Sequence, residues 1–521
     1  MRLGSAYRFG FTASLFAVPV SACFIVNRVS VVELRRESDS VEVRTPVKAH
    51  LVDGSTVLYR QGVTVAAGRL AGAGIRYGLT LADSIAVSEL PLDSVVGMES
   101  FRTSVNTGAT IAYSTLATAG AIAAGVAIAC AADPKCFGSC PTFYSDSGGT
   151  PVLEAEGFSY SIAPLFEARD VDRLRARPAA DGSVTLEVRN EAFETHFINH
   201  LELLETTIAP GELAAPDAKG RPVALSGLTA AVGARDRTGR DVRGILSHAE
   251  GNSYSTPANV LDQVAAHDLD DTIQLSFPQT SAGDSVALVL RLRNSLLNTI
   301  LLYDLMLGDP GARSLDWQAR TLSQVGPALE LGTWYSAQMG LGIDIWRDTT
   351  WVAVVRIKDT GPVAWKDVVV PLPRSPGDEL RVRLHFPADN WRIDQIQLAQ
   401  RFRRPAVRAV SLSRIVTPDG RAQQNALASL LQPDSTYLEL GSSQSFQAVW
   451  QVGKSDGLER AFFLSSQGYY TEWVRRGWIA SPRDTVPFQP SDLALFRAIQ
   501  RWRQVQDTLE RRFFATRVPV R

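Results

Sequence analysis

Between residues 351 and 398 the chain repeats one local pattern four times, and that repetition constrains the fold more than any other feature. Residues 351–357, 368–372, 380–386 and 391–398 are short apolar or alternating stretches. Polar turns at 359–362, 373–378 and 387–390, rich in Pro, Gly, Asp and Asn, separate them. Regular short strands with such turns predict an antiparallel β-sandwich. Leu380, Val382, Leu384 and Phe386 alternate with Arg381, Arg383 and His385. One face is therefore buried and the basic residues turn outward. Near the start, residues 47–51 and 56–59 flank Asp53 and Gly54, which tolerate the positive φ of a tight hairpin. The predicted fold class is mainly β, with several antiparallel sheet or sandwich domains.

A chain of 521 residues is too long for one core. At about 100–200 residues per domain it holds three or four. Hydrophobic content of 45% and charged content of 21% are ordinary for a globular protein and exclude wholesale disorder. A net charge of −1 gives nucleic acid nothing to recognise. The predicted order is a signal peptide over 1–22, a tether over 23–40 and a small β domain over 41–102. An Ala/Gly-rich helical segment covers 103–133, and a β-rich domain covers 134–310. A jelly-roll-like β-sandwich spans 311–400, and a β segment with a terminal helix spans 401–521.

The first residues predict export. Arg2 and Arg8 precede an apolar run over 9–20, and small residues follow it. A basic start, a short apolar stretch and small residues describe a secretory signal. The run is shorter than the roughly 20 residues of a membrane span. Val20, Ser21, Ala22 and Cys23 resemble the lipobox of bacterial lipoproteins. That resemblance implies lipidation of Cys23 and cleavage before it. The plainer alternative is an ordinary export signal in which Cys23 is incidental.

Cys130, Cys136 and Cys140 cluster, and in an oxidising compartment close cysteines suggest a disulfide. Three cannot all pair. Cys136 with Cys140 is the first choice and Cys130 with Cys140 the next. No fourth ligand and no His lies near in sequence, so no metal site is predicted. No phosphate loop, nucleophile elbow or dinucleotide fingerprint is present, and no cofactor is predicted.

Residues 103–132 carry no charge and end in a run of Ala, Gly, Ile and Val. Their length permits a membrane span. Ala has little drive into lipid, and a crossing would return the larger part of a lipid-anchored chain to the cytoplasm. A helix packed on the protein is the preferred reading. Residues 295–307 close the strongest apolar segment of the middle, and periodicity does not separate a helix from a buried strand. A C-terminal amphipathic helix is predicted from Ser491 as cap and a stripe of Leu495, Ile499, Trp502, Leu509 and Phe513. Its arginines suit a membrane surface, but such a helix more often packs on its own domain.

Three groups of residues are candidates for chemistry. Glu194, His196 and His200 have a helical metal-site spacing. The segment reads better as a strand, where residues four apart lie about 13 Å apart and cannot share an ion. Asp389, Trp391 and Asp394 join carboxylates to an aromatic ring, as a sugar site does. The plainer reading is a turn entering a strand whose Trp is core. Tyr469, Tyr470, Glu472 and Trp473, followed by Arg475, Arg476 and Trp478, form the densest aromatic group. They suit ligand contact or packing at a domain seam. Trp391, Asp394, Tyr469, Tyr470 and Trp473 are the candidate contact residues, and no catalytic residue is assigned.

Cys140, Pro141, Phe143 and Tyr144, followed by Leu153, Glu156 and Gly157, resemble the opening of an uncharacterised family of exported bacterial envelope proteins. Asn190 to His196 with Leu201 to Leu203, residues 386–394 and residues 468–473 are similar to later blocks. The resemblance covers most of 136–480 as short islands. It implies a lipoprotein of the envelope with no assigned reaction and no catalytic residue to carry over.

The expectation is an exported, lipid-anchored, non-catalytic envelope protein on the periplasmic or cell-surface side. Its partners are the membrane, through the anchor, and a glycan or another envelope protein. One alternative is a carbohydrate-active enzyme on the sandwich, which requires carboxylates such as Asp389, Asp394 and Glu472 to converge in a cleft. The other is a single-span membrane protein with an extracytoplasmic β domain.

Overall fold

The computed structural model describes residues 40–78, 84–101, 140–249, 252–279, 285–375, 377–454 and 457–515. The predicted signal peptide, the Ala/Gly-rich segment, Cys23, Cys130 and Cys136 lie outside the described residues. Among those residues the chain is mainly β, in four sheets of eight, nine, five and five strands.

The first sheet takes its strands from the small N-terminal segment. Val47, Ala49 and Leu51 point inward and are buried, while Lys48 and His50 on the other face are half-buried. The Asp53-Gly54 turn closes the hairpin as read from sequence, with Gly54 at φ +82° and Val47 opposite Tyr59. The sheet is completed from far along the chain. Val474 and Arg475 pair with Met98 and Gly97. A Cβ on Gly97 would stand 2.9 Å from the Trp473 Cβ, so the close approach of these segments requires glycine.

The nine-stranded central sheet is built on two long strands, Glu194–Ile208 and Glu459–Glu472. They pair antiparallel from Glu194 opposite Glu472 to Ile208 opposite Glu459, with a bulge between Ile198 and His200. His196 is fully buried and His200 half-buried, both in a strand. Phe143, Leu186, Ile198, Leu203, Trp450 and Leu464 form this sheet's core.

The two five-stranded sheets are the sandwich, inserted between Glu194–Ile208 and Val407–Val416. Leu288, Leu290 and Leu292 of one sheet meet Leu275, Val382, Leu384 and Phe386 of the other. The alternation along Glu379–Pro387 is seen as read: Leu380, Val382, Leu384 and Phe386 are all 0% exposed. The ambiguous apolar stretch divides between a strand and a helix. A strand runs to Asn294, and Leu297–Thr299 then opens a helix that continues through Ile300–Gly308. The Ser295 hydroxyl accepts from the Leu297 N–H at 3.1 Å and marks the change. Further turns are wound wide, with Asp309 N–H donating to Asp304 five residues back. Burial on nearly every side explains the absence of a readable stripe. Residues 313–339, within the stretch read as sandwich, are largely helical, and their main helix is α1 (Val325–Met339).

The terminal helix α2 (Asp492–Ala515) is capped by Ser491, whose hydroxyl accepts from the Ala494 N–H at 3.2 Å. Leu495, Ile499 and Trp502 are fully buried in the core shared with the first sheet, α1 and Ile300–Gly308. Arg501 pairs with Asp309 at 2.7 Å, and Arg392 of the sandwich pairs with Glu510 at 2.9 Å. This helix packs on its own protein. Among the described residues no helix is long and apolar enough to cross a membrane.

Candidate functional site

A cleft of about 860 Å³ lies where α1, the helix Ile300–Gly308 and the loop through Ser159 to Ala168 meet. That volume falls within the roughly 300–1,000 Å³ of ligand sites. Val325, Leu329, Gly332 and Ser336 of α1 face it at helical spacing. Leu165 and Phe166 stand opposite, and Leu302, Tyr303 and Met306 line it from below. Val325 and Leu329 are 72% and 67% exposed, an unusual state for large apolar residues three to four apart on one helix.

The cleft has a polar end. Asp359 is buried there and accepts from the Gly361 N–H at 2.8 Å, from Asn298 Nδ2 at 3.1 Å and from the Tyr335 hydroxyl. Burial, then Asp359, pushes the Tyr335 hydroxyl well above its ordinary value, so it stays a donor. Glu167 is engaged by the Tyr437 hydroxyl at 2.6 Å and by Gln467 at 3.0 Å. The lining carboxylates are thus committed within the protein. The lining cations are not: Arg356 donates only to the Gly340 carbonyl, at 3.0 Å, and Lys358 lies 5.9 Å from the Tyr160 ring centre. Both are exposed; among the described residues neither forms an ion pair, and Arg356 meets the charge of Asp270 only beyond ion-pair distance.

Beneath the Tyr303 and Tyr470 walls sits a buried polar cluster. Glu194 and Glu472 face each other across the long strand pair. Burial pushes both carboxyls up to about 8, against the pull of Arg475, which contacts Glu472 at 2.7 Å. His196 Nε2 and Glu194 Oε1 share a 2.5 Å hydrogen bond, and burial pulls His196 down to about 3. The Tyr303 hydroxyl bonds Glu472, and Arg475 lies over the Tyr303 and Trp478 rings at 4.8 Å. Glu194 and Glu472 are 0% and 2% exposed, so this acid pair has no opening to a substrate. Among the described residues no group of His, Cys, Asp and Glu is arranged to hold a metal ion.

The residues singled out from sequence fall in separate places. Tyr470 and Cys140 line the cleft. Cys140 is buried and, with every other cysteine outside the described residues, shows no disulfide partner among them; burial pushes its thiol well above its ordinary value. Tyr469 points the other way and stacks on Phe197 at 4.6 Å. Trp473 stacks on His50 at 3.6 Å and donates to Thr195. Trp391 is core, with Nε1 donating to the Met339 carbonyl at 3.2 Å. Asp394, Asp389 and Glu472 are held by Arg291, Arg392 and Arg475 respectively, and none lines the cleft. Tyr303, Tyr335, Lys358 and Asp359 were missed as site residues. Asp359 had been read only as a turn, and α1 carries no motif.

No family model matches the chain, and no curated protein matches it. Among solved structures, an uncharacterised protein of Listeria monocytogenes bound to glucose, magnesium and calcium overlaps 71% of this chain and 30% of its own, at 9% identity and TM-score 0.16. An exo-β-1,3-galactanase of Phanerochaete chrysosporium overlaps 69% and 81% at 8% identity and TM-score 0.19. An α-xylosidase of Xanthomonas citri overlaps 83% and 38% at 11% identity and TM-score 0.16. The chain therefore spans about a third of the length of the Listeria protein. Scores of this size show no shared fold and assign this chain no activity.

Proposed function

We propose that this chain is an exported, lipid-anchored envelope protein that binds an amphiphile in the α1 cleft, with an apolar tail along the helix and an anionic head at Arg356 and Lys358. The observation that carries the reading is the division of labour inside the cleft. Its long wall is apolar and open, its carboxylates are already satisfied, and its two cations are free to receive a ligand. A tail would bring about 25 cal/mol of stabilisation for each Å² of apolar surface removed from water. The anchor at Cys23 and the envelope location rest on the N-terminal pattern. The enzymatic alternative draws no support from the cleft, because Asp389, Asp394 and Glu472 do not meet there.

The test is displacement of bound cis-parinaric acid from the purified mature chain. Hexadecanoate should compete with a Kd in the micromolar range, hexadecanol about tenfold more weakly, and Leu329→Glu should bind at least about tenfold more weakly than the native chain. Absence of saturable parinarate binding, or equal binding by Leu329→Glu, would end the proposal. Globomycin-sensitive processing and the mass of the mature N-terminus test the anchor separately.

A further inference from the structure

A second cavity, of about 450 Å³, opens at the seam between the central sheet and the sandwich. Strands Thr150–Glu156 and Ala168–Leu174 supply one side, and Ser285–Asn294 and Lys366–Pro373 the other. Seams of this kind are preferred places for ligands. Its character is opposite to that of the α1 cleft. Arg173, Arg175, Arg291 and Lys366 line it with Trp365.

The acids of this cavity are taken. Glu154 accepts from the Ser145 hydroxyl and the Arg175 N–H, each at 2.6 Å. Asp172 contacts Lys366 at 3.1 Å, and Lys366 also binds Asp170. Asp367 is held by Arg291 at 3.2 Å, and Arg291 also holds Asp394 at 3.0 Å. The guanidinium donors outnumber what remains. Arg173 reaches Asp367 only at 3.8 Å. Arg175 is exposed, and its side chain has no partner among the described residues. Burial pulls the Arg173 guanidinium below its ordinary value; Asp367 opposes that, and Arg175, Arg177 and Arg291 add to it. Cations crowded this way are relieved by an added anion. Burial also pushes the Asp172 carboxyl up, against the pull of Lys366.

Trp365 gives the cavity a flat wall. It is half-buried, with the guanidiniums of Arg293 and Arg291 at 5.0 and 5.9 Å from its ring centre. A ring that offers a broad apolar face suits the C–H side of a pyranose, while arginines bind an oxyanion through paired N–H donors.

We propose that the seam cavity is a binding site for a pyranose bearing an oxyanion, a phosphate or a carboxylate, with the anion at Arg173 and Arg175 and the ring on Trp365. The site is independent of the amphiphile cleft. It is tested by calorimetric titration of the mature chain with glucose 6-phosphate, glucuronate, glucose and inorganic phosphate. One of the two anionic sugars should bind with a Kd below about 1 mM and at least about tenfold more tightly than glucose or inorganic phosphate. Which of the two binds identifies the oxyanion. Arg175→Gln should weaken that sugar about fivefold or more, and Trp365→Ala should do the same. Arg175 is exposed and unpartnered, so its variant should keep the native Tm, and a loss of binding then reports the site rather than the fold. Silence from both anionic sugars, equal binding of inorganic phosphate alone, or an unchanged affinity in Arg175→Gln overturns the proposal.

Discussion

Glu194 and Glu472 stand directly opposite each other across two antiparallel strands, both sealed from solvent. Two carboxylates so placed do not both ionise readily. Burial raises each to about 8, above the ordinary glutamate value of about 4.5, so the folded state holds protons that the unfolded chain releases from about pH 4.5 upward. Their contribution to stability is therefore present in mild acid and is lost as pH rises toward 8. Glu194→Gln keeps the shape and removes one titration. Its Tm relative to the native chain should climb by several degrees between pH 5 and pH 8. A gap that stays constant in scanning calorimetry over that range would refute the raised pair.

Glu99 provides the opposite sign. Burial alone would push it up, but Lys48 at 3.4 Å and the His50 hydrogen bond at 3.1 Å overcome that and hold it at about 2. A carboxyl depressed on folding stabilises above its unfolded value, and the benefit disappears as pH falls from about 4.5 toward 2. Glu99→Gln should be less stable than the native chain at pH 7, and the difference should shrink steadily on acidification. Denaturant midpoints at pH 7, 4.5 and 3 measure it; equal midpoints at pH 7 would remove Glu99 as an electrostatic tie.

The Trp502 indole donates to Asp389 Oδ2 at 2.6 Å and anchors α2 to the sandwich. Asp389 is 1% exposed, sits at φ +62° and also holds Arg392. Trp502→Phe keeps an aromatic ring in the core, gives up part of its volume and withdraws the donor from a buried carboxylate. The cost should be about 1–3 kcal/mol. The residue is fully buried, so no compensating exchange with water is available. Urea unfolding should show the loss, and hydrogen exchange should show α2 opening earlier. A variant as stable as the native chain would mean that apolar contact alone seats the helix.

The sandwich was legible because its signal is local. Leu380 to Phe386 alternates with basic residues in sequence, and the same alternation is buried in space. Asp53 with Gly54 and the stripe through Trp502 were legible for the same reason. The sites were not. Glu194 with His196, and Tyr470 with Glu472, were each visible as motifs, but their meeting depends on a register between strands more than 250 residues apart, which no local pattern records. Helix α1 escaped notice because only Ala328, Leu331 and Met339 are buried, while Val325 and Leu329 point into an open cleft. A helix that divides its apolar residues between a core and a ligand space shows no single stripe.

That division makes Gly332 the sharpest probe of the cleft. A Cβ there would lie 2.9 Å from Cε1 of Phe166, on the opposite wall. Phe166 is half-buried and its ring can swing, so Gly332→Ala need not strain the backbone. Alanine also favours a helix over glycine by about 1 kcal/mol. Gly332→Ala should therefore keep the native Tm or raise it by about 1 °C. Gly332→Leu extends the same vector further, pressing Phe166 aside and filling part of the cleft that both residues line. It should remain folded by circular dichroism and lose parinarate binding, while Arg175→Gln, at the distant seam cavity, should leave parinarate binding intact. If Gly332→Leu bound parinarate as the native chain does, the tail would have to lie somewhere other than along this face of α1.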